Sequence, residues 1–337
     1  MTETGTATAP AAATALLEAT DLVKHYRLRR QWWPGGPATL VRAVDGVSVT
    51  IGARSTFGLV GESGCGKTTL GRLLLRLERP TAGRISFAGE DWLAKRGSPL
   101  RAARKHMQAI FQDPLGSLDP RRTAAQAIRE ALAAHGMGAD ATARAGRAAE
   151  LLDLVGLPAD AGRRYPHELS GGQRQRVTIA RSIAVEPKFI VCDEAVSALD
   201  VSVQAQIINL LSDLQDSVGM SYLFISHNLA TVRHLADTIG VMYLGRIVEQ
   251  ASADQIFTAP AHPYTEALLA AVPVPDPAAR APARLAGDPV SAASLPSGCR
   301  FRLRCPRAAA ICAEQEPSLA PLPGSADRQV ACHFPAT

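Results

Sequence analysis

One run of nine residues combines glycines, a lysine and two threonines at a spacing that suits phosphate binding. The run, Gly61-Glu62-Ser63-Gly64-Cys65-Gly66-Lys67-Thr68-Thr69, has two glycines separated by four residues and followed by Lys and Thr. Glycines let the backbone curl so that successive N–H groups point at phosphate oxygens. Lys67 would then reach the β- and γ-phosphates of a nucleotide, and the Thr68 hydroxyl would hold Mg²⁺. The run therefore predicts a nucleotide-binding site.

Two adjacent acids follow a second apolar segment. Residues 189–192 form a short apolar run that ends at Asp193 and Glu194. Beside a phosphate-binding loop, Asp193 would hold Mg²⁺ through water, and Glu194 would orient and deprotonate the attacking water. Taken alone, the pattern also describes a buried strand that ends at two surface acids. Its combination with Lys67 and Thr68 favours nucleotide hydrolysis.

The elements around these residues alternate between strands and helices. Residues 56–60 predict a strand that enters the loop, and residues 70–77 predict the helix behind it. Residues 123–163 are helical by composition, and we interpret them as part of an inserted subdomain whose core-facing cluster is Leu151, Leu152, Leu154 and Val155. The other predicted elements are strands at 17–26, 41–51, 188–192 and 221–226, helices at 203–218 and 229–236, and a hairpin at 238–248. This alternation favours a mainly parallel sheet covered by helices.

The composition of the 337-residue chain limits its class. The net charge is +5 and 47% of the residues are hydrophobic, so a sizeable core is available. The 31 Arg residues are spread along the chain, whereas a nucleic-acid binder should cluster its charge, and we expect no nucleic-acid partner. No apolar run reaches the ~18 residues of a membrane span, and residues 1–13 lack the features of a secretory signal. We expect a cytosolic protein whose membrane role comes through partners.

A third motif, Leu169-Ser170-Gly171-Gly172-Gln173, resembles the signature of the ATP-binding-cassette (ABC) ATPases. Taken alone, it is also compatible with a Gly-rich loop that caps a helix. The resemblance extends to seven elements in the family's order and spacing: Tyr26, residues 61–68, Gln112, residues 169–173, Asp193-Glu194, residues 197–200 and His227. The signature and His227 argue against a kinase or a GTPase, and the sequence also lacks a recognisable guanine-recognition motif.

The resemblance implies a role for each of these residues. Tyr26 would stack on adenine, and Gln112 would touch Mg²⁺ and the attacking water and sense a transmembrane partner. Ser170 and Gly172, where a helix begins, would bind the γ-phosphate of an ATP held by another subunit. His227 would hydrogen-bond the γ-phosphate, and Asp200 would help the two subunits communicate. The residues implied to bind ATP or Mg²⁺, or to act in hydrolysis, are Tyr26, Gly61, Glu62, Ser63, Gly64, Cys65, Gly66, Lys67, Thr68, Thr69, Gln112, Ser170, Gly171, Gly172, Gln173, Asp193, Glu194, Asp200 and His227. Because each site needs a phosphate loop and a signature from opposite chains, the chain must pair head to tail, with itself or with a related subunit.

Two further stretches resemble the oligopeptide and dipeptide importers within this family. They are residues 111–121, and a tail that carries residues 262–265, Gly298-Cys299, Arg304-Cys305-Pro306 and Ala331-Cys332-His333. The Gly116-Ser117 variant and the loop around Trp32 and Trp33 look like the second of the two ATPase subunits of these importers. The resemblance, which covers about residues 17–335, implies a heterodimer with a homologous ATPase, two transmembrane permeases and an extracytoplasmic solute-binding protein. The alternative for the two tryptophans is local packing.

Four of the six cysteines lie in the last 39 residues. Cys299, Cys305, Cys312 and Cys332 are separated by five, six and nineteen residues, which is weak evidence for a metal by itself. Importers with this tail are thought to carry a [4Fe–4S] cluster, so the resemblance implies one here, while zinc or reduced thiols stay open. We expect Cys65 and Cys192 to be a loop position and a core position.

We therefore predict an α/β P-loop NTPase fold. It would have a RecA-like core with a mainly parallel sheet, antiparallel N-terminal strands, an inserted helical subdomain at about residues 113–185 and a Cys-rich C-terminal extension. The predicted boundaries are a disordered tail at 1–16, the ABC nucleotide-binding domain at 17–258 and the extension at 259–337, with a Pro-rich stretch at 273–296. The predicted function is hydrolysis of ATP to power import of peptides or related small solutes, at the cytoplasmic face of the cell membrane. The alternative is a soluble ABC-type ATPase in translation or DNA repair.

Overall fold

The computed structural model of the protein describes residues 15–28, 39–271 and 291–336. Residues 1–14 of the predicted tail, Trp32 and Trp33, and residues 273–290 of the Pro-rich stretch lie outside the described residues. Within the described ranges, no helix is both long and apolar enough to cross a bilayer.

The elements follow the alternation that the sequence predicts. The strands are β1 (Ala15–Leu28), β2 (Thr39–Gly52), β3 (Thr56–Val60), β4 (Ala82–Phe87), β5 (Glu90–Asp91), β6 (Met107–Ile110), β7 (Phe189–Asp193), β8 (Ser221–Ser226), β9 (Thr238–Tyr243), β10 (Arg246–Ser252), β11 (Ala320–Leu322) and β12 (Ser325–Val330). The helices are α1 (Lys67–Leu74), α2 (Gly97–Ala103), α3 (Pro114–Ser117), α4 (Ala124–Ala134), α5 (Ala141–Leu154), α6 (Gly171–Ile183), α7 (Val201–Val218), α8 (Leu229–Arg233), α9 (Ala253–Thr258), α10 (Pro263–Ala270) and α11 (Ile311–Glu314). Short 3₁₀ turns lie at Arg104–His106, Ala159–Arg163 and Pro166–Glu168.

Two sheets organise these strands. The N-terminal sheet is antiparallel, in the order β2-β1-β4-β5. The larger sheet has the order β11-β12-β10-β9-β3-β8-β7-β6. The strands from β6 to β9 in that order pair in parallel, and the pairs that involve β10, β11 and β12 are antiparallel. The fold prediction is confirmed for the antiparallel N-terminal strands and the α/β core, and the large sheet is mixed.

The parallel strands are buried on both faces, as expected where helices cover a sheet on both sides. Every residue of β3, β7 and β8 is buried. The ends of these strands therefore lie at one well-packed edge, and the loops that follow β3, β7 and β8 are held close together by that edge.

Helices fill the region between β6 and β7. Thr123 caps α4 through a capping box with Gln126, and Asp140 caps α5. The predicted cluster is correct for Leu151, Leu152 and Val155, which are buried, and wrong for Leu154, which is 46% exposed. At about 100° per residue, Leu154 falls on the flank of the face that the other three share.

The C-terminal residues extend the large sheet, a feature that the sequence did not predict. β12 pairs with β10, so residues near the chain end complete the edge of the sheet. Phe301 packs edge-on against Tyr243 of β9 at 5.3 Å between ring centroids, and against Tyr264 of α10 at 5.4 Å. The fully buried carboxylate of Glu249 in β10 accepts hydrogen bonds from the Ala261 and His262 backbone N–H groups and from Arg328.

Candidate active site

The loop after β3 has the curled backbone that phosphate binding requires. Gly61 and Gly66 have φ values of 152° and 113°, in the region that favours glycine. A Cβ atom on Gly66 would lie 2.0 Å from the carbonyl oxygen of Ala43, and one on Gly61 would lie 2.2 Å from that of Met242. Both positions therefore require glycine because of the close approach of neighbouring backbone. We call residues 61–69 the phosphate loop.

Lys67 lies folded over this loop. Its Nζ donates to the carbonyl oxygens of Gly61 at 2.7 Å and Glu62 at 3.0 Å, and the residue is only 4% exposed. The ammonium group thus sits within the curl of the loop, at the first turn of α1. A positive charge and a helix N-terminus at the same point favour an anion there.

Thr68 and Asp193 join the loop to the end of β7. The Thr68 hydroxyl donates to Asp193 Oδ1 at 3.0 Å. Burial raises the pKa of Asp193 above its ordinary value and the charge of Glu194 adds to this, whereas Thr68, Arg72 and Lys67 lower it. A desolvated carboxylate beside a second carboxylate is stabilised by a cation, and a carboxylate with a hydroxyl is an oxygen set that suits Mg²⁺. The residues therefore fit the predicted metal.

Glu194 occupies a strained backbone position at the strand end. Its φ is 49°, which is uncommon for a residue other than glycine, and its N–H donates to the Ile225 carbonyl oxygen at 3.0 Å. The carboxylate lies 3.6 Å from Nδ1 of His227, and 16% of the side chain is exposed. The carboxylate is thus partly exposed to solvent, next to the histidine that follows β8.

One cavity of about 340 Å³ brings several of these groups together. Lys67, Thr68, Gln112 and Glu194 line it. The other lining residues are Val41, Ala43, Ser63, Gly64, Gly66, Thr69 and Ala292. Four residues that the sequence assigned to catalysis or metal binding therefore share one space, although they come from three separate segments of the chain: the phosphate loop, the residue Gln112 after β6 and the end of β7.

Tyr26 adjoins this cavity through its hydroxyl group. The hydroxyl donates to Glu78 and also bonds to Thr69 of the phosphate loop. Burial raises the pKa of Tyr26, and the Glu78 carboxylate adds to the effect. The ring is half-buried, with the Lys24 ammonium 5.1 Å from its centroid. A hydroxyl held in this way fixes the ring beside the loop that carries the phosphate-binding groups.

The signature motif lies elsewhere and is organised as a helix cap. Ser170 Oγ accepts from the Gln173 N–H at 3.2 Å, and the Gln173 side chain accepts from the Ser170 N–H at 3.0 Å. Gly171 and Gly172 leave room for Leu199 and Val203, which would lie 3.3 Å and 2.6 Å from a Cβ atom. Among the described residues, none of the motif lines the cavity that holds Lys67.

The structure adds two details here. The side chain of Gln173 forms the reciprocal half of a capping box, and the Ser-x-x-Gln spacing was a signal for this role that the sequence reasoning missed. Asp200 is exposed and directly precedes α7, whose Val203 lies next to Gly172 of the signature.

Two residues at the phosphate loop were not predicted. Arg304 donates to both carboxylate oxygens of Glu62, at 2.8 Å and 2.9 Å, and the Tyr264 hydroxyl accepts from the Glu62 N–H at 2.9 Å. Both residues belong to stretches that resembled an importer tail. Their sequence separation of about 200 residues or more from Glu62 concealed the contact.

The four tail cysteines lie near one another. Burial, with smaller contributions from the charges of the other three tail thiols, raises the pKa of Cys299 to about 11. Burial also raises the pKa of Cys305 and of Cys332. Three of the sulfurs accept a hydrogen bond from the backbone N–H two residues later, at Phe301, Arg307 and Phe334.

The fit of these cysteines to a metal is partial. Four neighbouring thiols with N–H···S bonds match the donor chemistry of a cluster site. Nevertheless, in the described ranges no group of three or more His, Cys, Asp or Glu side chains is arranged to hold a metal ion. All six cysteines are unpaired thiols in these ranges. Cys65 and Cys192 are buried in the loop and the core, as predicted.

Comparisons with known proteins identify the family of the chain. Residues 44–197 match the family described as ABC transporter, and residues 248–312 match the family described as oligopeptide/dipeptide transporter, C-terminal region. A probable peptide ABC transporter ATP-binding protein of Sinorhizobium fredii is 50% identical, over 96% of this chain and 90% of the relative. The oligopeptide transport ATP-binding protein OppF of Salmonella typhimurium is 44% identical, over 94% of this chain and 95% of the relative.

Solved structures share the fold. A dimeric bacterial ABC transporter cassette superposes with a TM-score of 0.62 at 25% identity, and it covers 70% of this chain and 98% of that cassette. A cassette from Clostridium perfringens that is part of an ABC transporter complex gives the same TM-score and identity, and the match covers 73% of this chain and 91% of that cassette. The chain therefore belongs to the ABC transporter family, among the ATP-binding subunits of its oligopeptide and dipeptide branch.

Proposed function

We propose that this chain is the ATP-hydrolysing subunit of a complex that imports peptides. The observation that carries the proposal is the shared cavity, in which the phosphate loop (Lys67 and Thr68), Gln112 and Glu194 converge from three separate segments of the chain. The peptide assignment is supported by the relatives, which are named as peptide and oligopeptide transport ATP-binding proteins. These names disfavour the alternative of a soluble ATPase in translation or DNA repair.

The chemistry follows from charges that are already in place. The inward N–H groups of the phosphate loop and the Lys67 ammonium would hold the β- and γ-phosphates. Thr68 and Asp193 would hold Mg²⁺ together with Gln112, and the ion, when bound, neutralises charge on the phosphates. Glu194 would accept a proton from the attacking water, and His227, 3.6 Å from Glu194, would hydrogen-bond the γ-phosphate.

Two chains would complete each site. Ser170 caps α6 at an exposed position, so the first N–H groups of this helix face outward rather than into the cavity that contains Lys67. A second cassette that presents its own signature to this cavity would supply the missing γ-phosphate contacts. We propose that the second cassette is a homologous ATPase, which gives a head-to-tail heterodimer. Asp200 and Leu199, beside the signature, would carry contacts between the subunits.

A separate groove suits a permease. A cavity of about 460 Å³ lies between the core and the inserted helices. It is lined by Leu77 and Phe111, which are 53% and 37% exposed, and by Arg101, Arg104, Ala131, His135 and Arg181, among others. An exposed apolar surface of this kind marks an interaction site. Since Phe111 precedes Gln112, a permease segment docked here would lie one residue from the ATP cavity.

The assembly would place this chain at the cytoplasmic face of the cell membrane, with two permeases and an extracytoplasmic solute-binding protein. The test is a gentle detergent purification of the tagged chain from native membranes, followed by identification of every co-purifying protein. We expect two permeases and a second ATPase. Ribosomes or nucleic acid in place of membrane proteins would contradict the proposal.

A matched pair of variants sharpens this test. Phe111→Asp should release the permeases, because it replaces an exposed apolar ring of the groove with a charged side chain. Val218→Asp, at a position 45% exposed at the end of α7, should leave the complex intact. Equal permease recovery with both variants would remove the groove as the docking site.

We also propose that Cys299, Cys305, Cys312 and Cys332 hold a [4Fe–4S] cluster. Their proximity and the three N–H···S bonds support it, and a cluster would link loops that have little apolar core of their own. Protein purified without oxygen should be brown, with iron and acid-labile sulfide in similar amounts. Zinc in place of iron, or colourless protein with neither metal, would refute the cluster.

A further inference from the structure

The sequence between two of the tail cysteines contacts the ATP site directly. Arg304 lies one residue before Cys305, and its side chain is only 4% exposed. Its Nη1 and Nη2 atoms donate to the two carboxylate oxygens of Glu62 at 2.8 Å and 2.9 Å. This is a bidentate pair, the geometry in which Arg fixes both the position and the orientation of a carboxylate. The pair raises the pKa of Arg304, so the guanidinium stays charged.

Glu62 is held at its backbone as well. Its N–H donates to the hydroxyl of Tyr264, a fully buried residue that packs against Tyr243 and Phe301. Its carbonyl oxygen accepts from Lys67 Nζ at 3.0 Å. The second residue of the phosphate loop is therefore fixed by the C-terminal residues on one side, and it holds the phosphate-binding lysine on the other.

The charge of Glu62 makes this contact important for nucleotide binding. A carboxylate at the start of a phosphate loop would repel a triphosphate bound there, because like charges that lie close together repel each other. Arg304 neutralises the carboxylate and turns it toward the C-terminal residues. Ser291 and Ala292, also from the C-terminal part, line a second cavity together with Glu62 and Ser63.

We propose that Arg304 is a positioning residue of the ATP site, which acts through Glu62 to keep the phosphate loop open to the triphosphate. The proposal rests on the function proposed above, in which the phosphate loop binds MgATP. In this proposal the C-terminal residues that carry Arg304 are part of the nucleotide site.

The test compares four forms of the full-length protein: wild type, Arg304→Gln, the double variant Glu62→Gln/Arg304→Gln, and Arg307→Gln. Binding of fluorescent mant-ATP is measured on the purified chain, and KM and kcat for MgATP are measured on the complex purified from membranes. Arg307 is the matched control, because it also forms an Arg–Glu pair in the tail, with Glu266 at 2.7 Å, but it is exposed and does not contact the phosphate loop.

We expect Arg304→Gln to raise Kd and KM about tenfold, equivalent to about 1.4 kcal/mol, with kcat within about twofold of wild type. The double variant should recover to within about threefold of wild type, because the neutral amide that replaces the Glu62 carboxylate no longer needs a cation. Arg307→Gln should bind as wild type does. A purely structural role for Arg304 would leave the double variant as impaired as the single one, and that result would overturn the proposal.

Two further outcomes separate the explanations. If Arg304→Gln does not fold, Arg304→Lys is used, and it should raise Kd about threefold because it keeps the charge and loses the bidentate geometry; an unchanged Kd in folded Arg304→Lys would overturn the proposal. If wild type itself binds no mant-ATP, the proposed function fails together with this inference. If wild type binds mant-ATP tightly and Arg304→Gln binds it equally well, the inference about Arg304 is refuted and the proposed function is unaffected.

Discussion

Glu194 offers the sharpest test of the proposed mechanism, through the substitution Glu194→Gln. The amide has the shape of the carboxylate but cannot accept the proton of the attacking water. The side chain lies at the end of β7, 3.6 Å from His227, and it lines the cavity with Lys67 and Thr68. Glutamine should fit the same strained backbone, so ATP binding should persist while hydrolysis is lost.

The magnitude follows from the role. A positioned general base contributes about 10²- to 10⁴-fold, so kcat should fall by that factor, which is about 2.7 to 5.4 kcal/mol of barrier. KM or Kd for MgATP should stay within about threefold, because the phosphate-binding groups are unchanged. The assay is single-turnover hydrolysis of MgATP by the membrane-purified complex, together with mant-ATP binding to the chain.

Glu186→Gln is the matched control. Glu186 also has a positive φ, 53°, but it is exposed and pairs weakly with Arg147, at 3.8 Å. The same chemical change there should leave kcat unaltered. Hydrolysis by Glu194→Gln within about threefold of wild type would refute Glu194 as the base, whereas loss of ATP binding in this variant would indicate a role in holding the nucleotide.

Three further predictions concern stability, and each can be measured by urea denaturation of the purified chain. Gly58→Ala should lower the free energy of unfolding by about 1 to 3 kcal/mol, because its Cβ would lie 2.3 Å from Val232 Cγ1 in the buried layer over β3. An unchanged urea midpoint would show that the side chains of this layer rearrange to admit the methyl group. Gly146→Ala, inside α5 with open space around its Cβ position, should stabilise by about 0.5 to 1 kcal/mol, and a loss of stability would show that the helix is absent there. Burial lowers the pKa of His262 from 6.5 to about 3. Between these two pH values the unfolded chain binds a proton that the folded chain does not. As the pH is lowered from about 6.5, the free energy of unfolding should therefore decrease by up to about 1.4 kcal/mol per pH unit. His262→Asn should reduce this pH dependence of the free energy of unfolding between about pH 6.5 and pH 5. An equal pH dependence in both proteins would show that other groups cause it.

Local chemistry made much of the site predictable. The phosphate loop places its groups within nine consecutive residues, so residue types and spacing were enough to identify Lys67 and Thr68. Asp193 and Glu194 were predictable because a buried apolar strand that ends in acids delivers them to the carboxyl edge of a parallel sheet. The strand order was not predictable, because hydrophobic periodicity identifies a strand but not the strands that lie beside it.

Contacts between distant parts of the chain were invisible for a physical reason. Glu62 and Arg304 are separated by 242 positions, and each has an ordinary composition around it. No periodicity connects β12 to β10, because a two-residue ladder is too short to impose a pattern on either strand. Leu154 was misassigned because the cluster was judged from composition rather than from the angle of each residue around the helix.

Three buried arginines explain how the C-terminal residues are attached to the cassette. The side chains of Arg300, Arg304 and Arg328 are 6%, 4% and 8% exposed, and they pair with Asp45, Glu62 and Glu249, respectively. Burying an ion pair adds little net stability, because desolvation offsets the attraction, but removing one partner costs about 3 to 5 kcal/mol.

Such pairs therefore specify one arrangement of the C-terminal residues on the cassette more than they stabilise it, because any other arrangement would leave buried charges without partners. Arg300 also donates to the Leu244 carbonyl oxygen, and the adjacent Gly245 N–H donates to the Cys65 carbonyl oxygen of the phosphate loop at 2.8 Å. Two of the three pairs thus connect to the phosphate loop, Arg304 through Glu62 and Arg300 through the turn between β9 and β10. Arg300 and Arg304 both lie between Cys299 and Cys305 in the sequence, so the segment that carries two of the tail cysteines also carries the two side chains that connect the C-terminal residues to the phosphate loop.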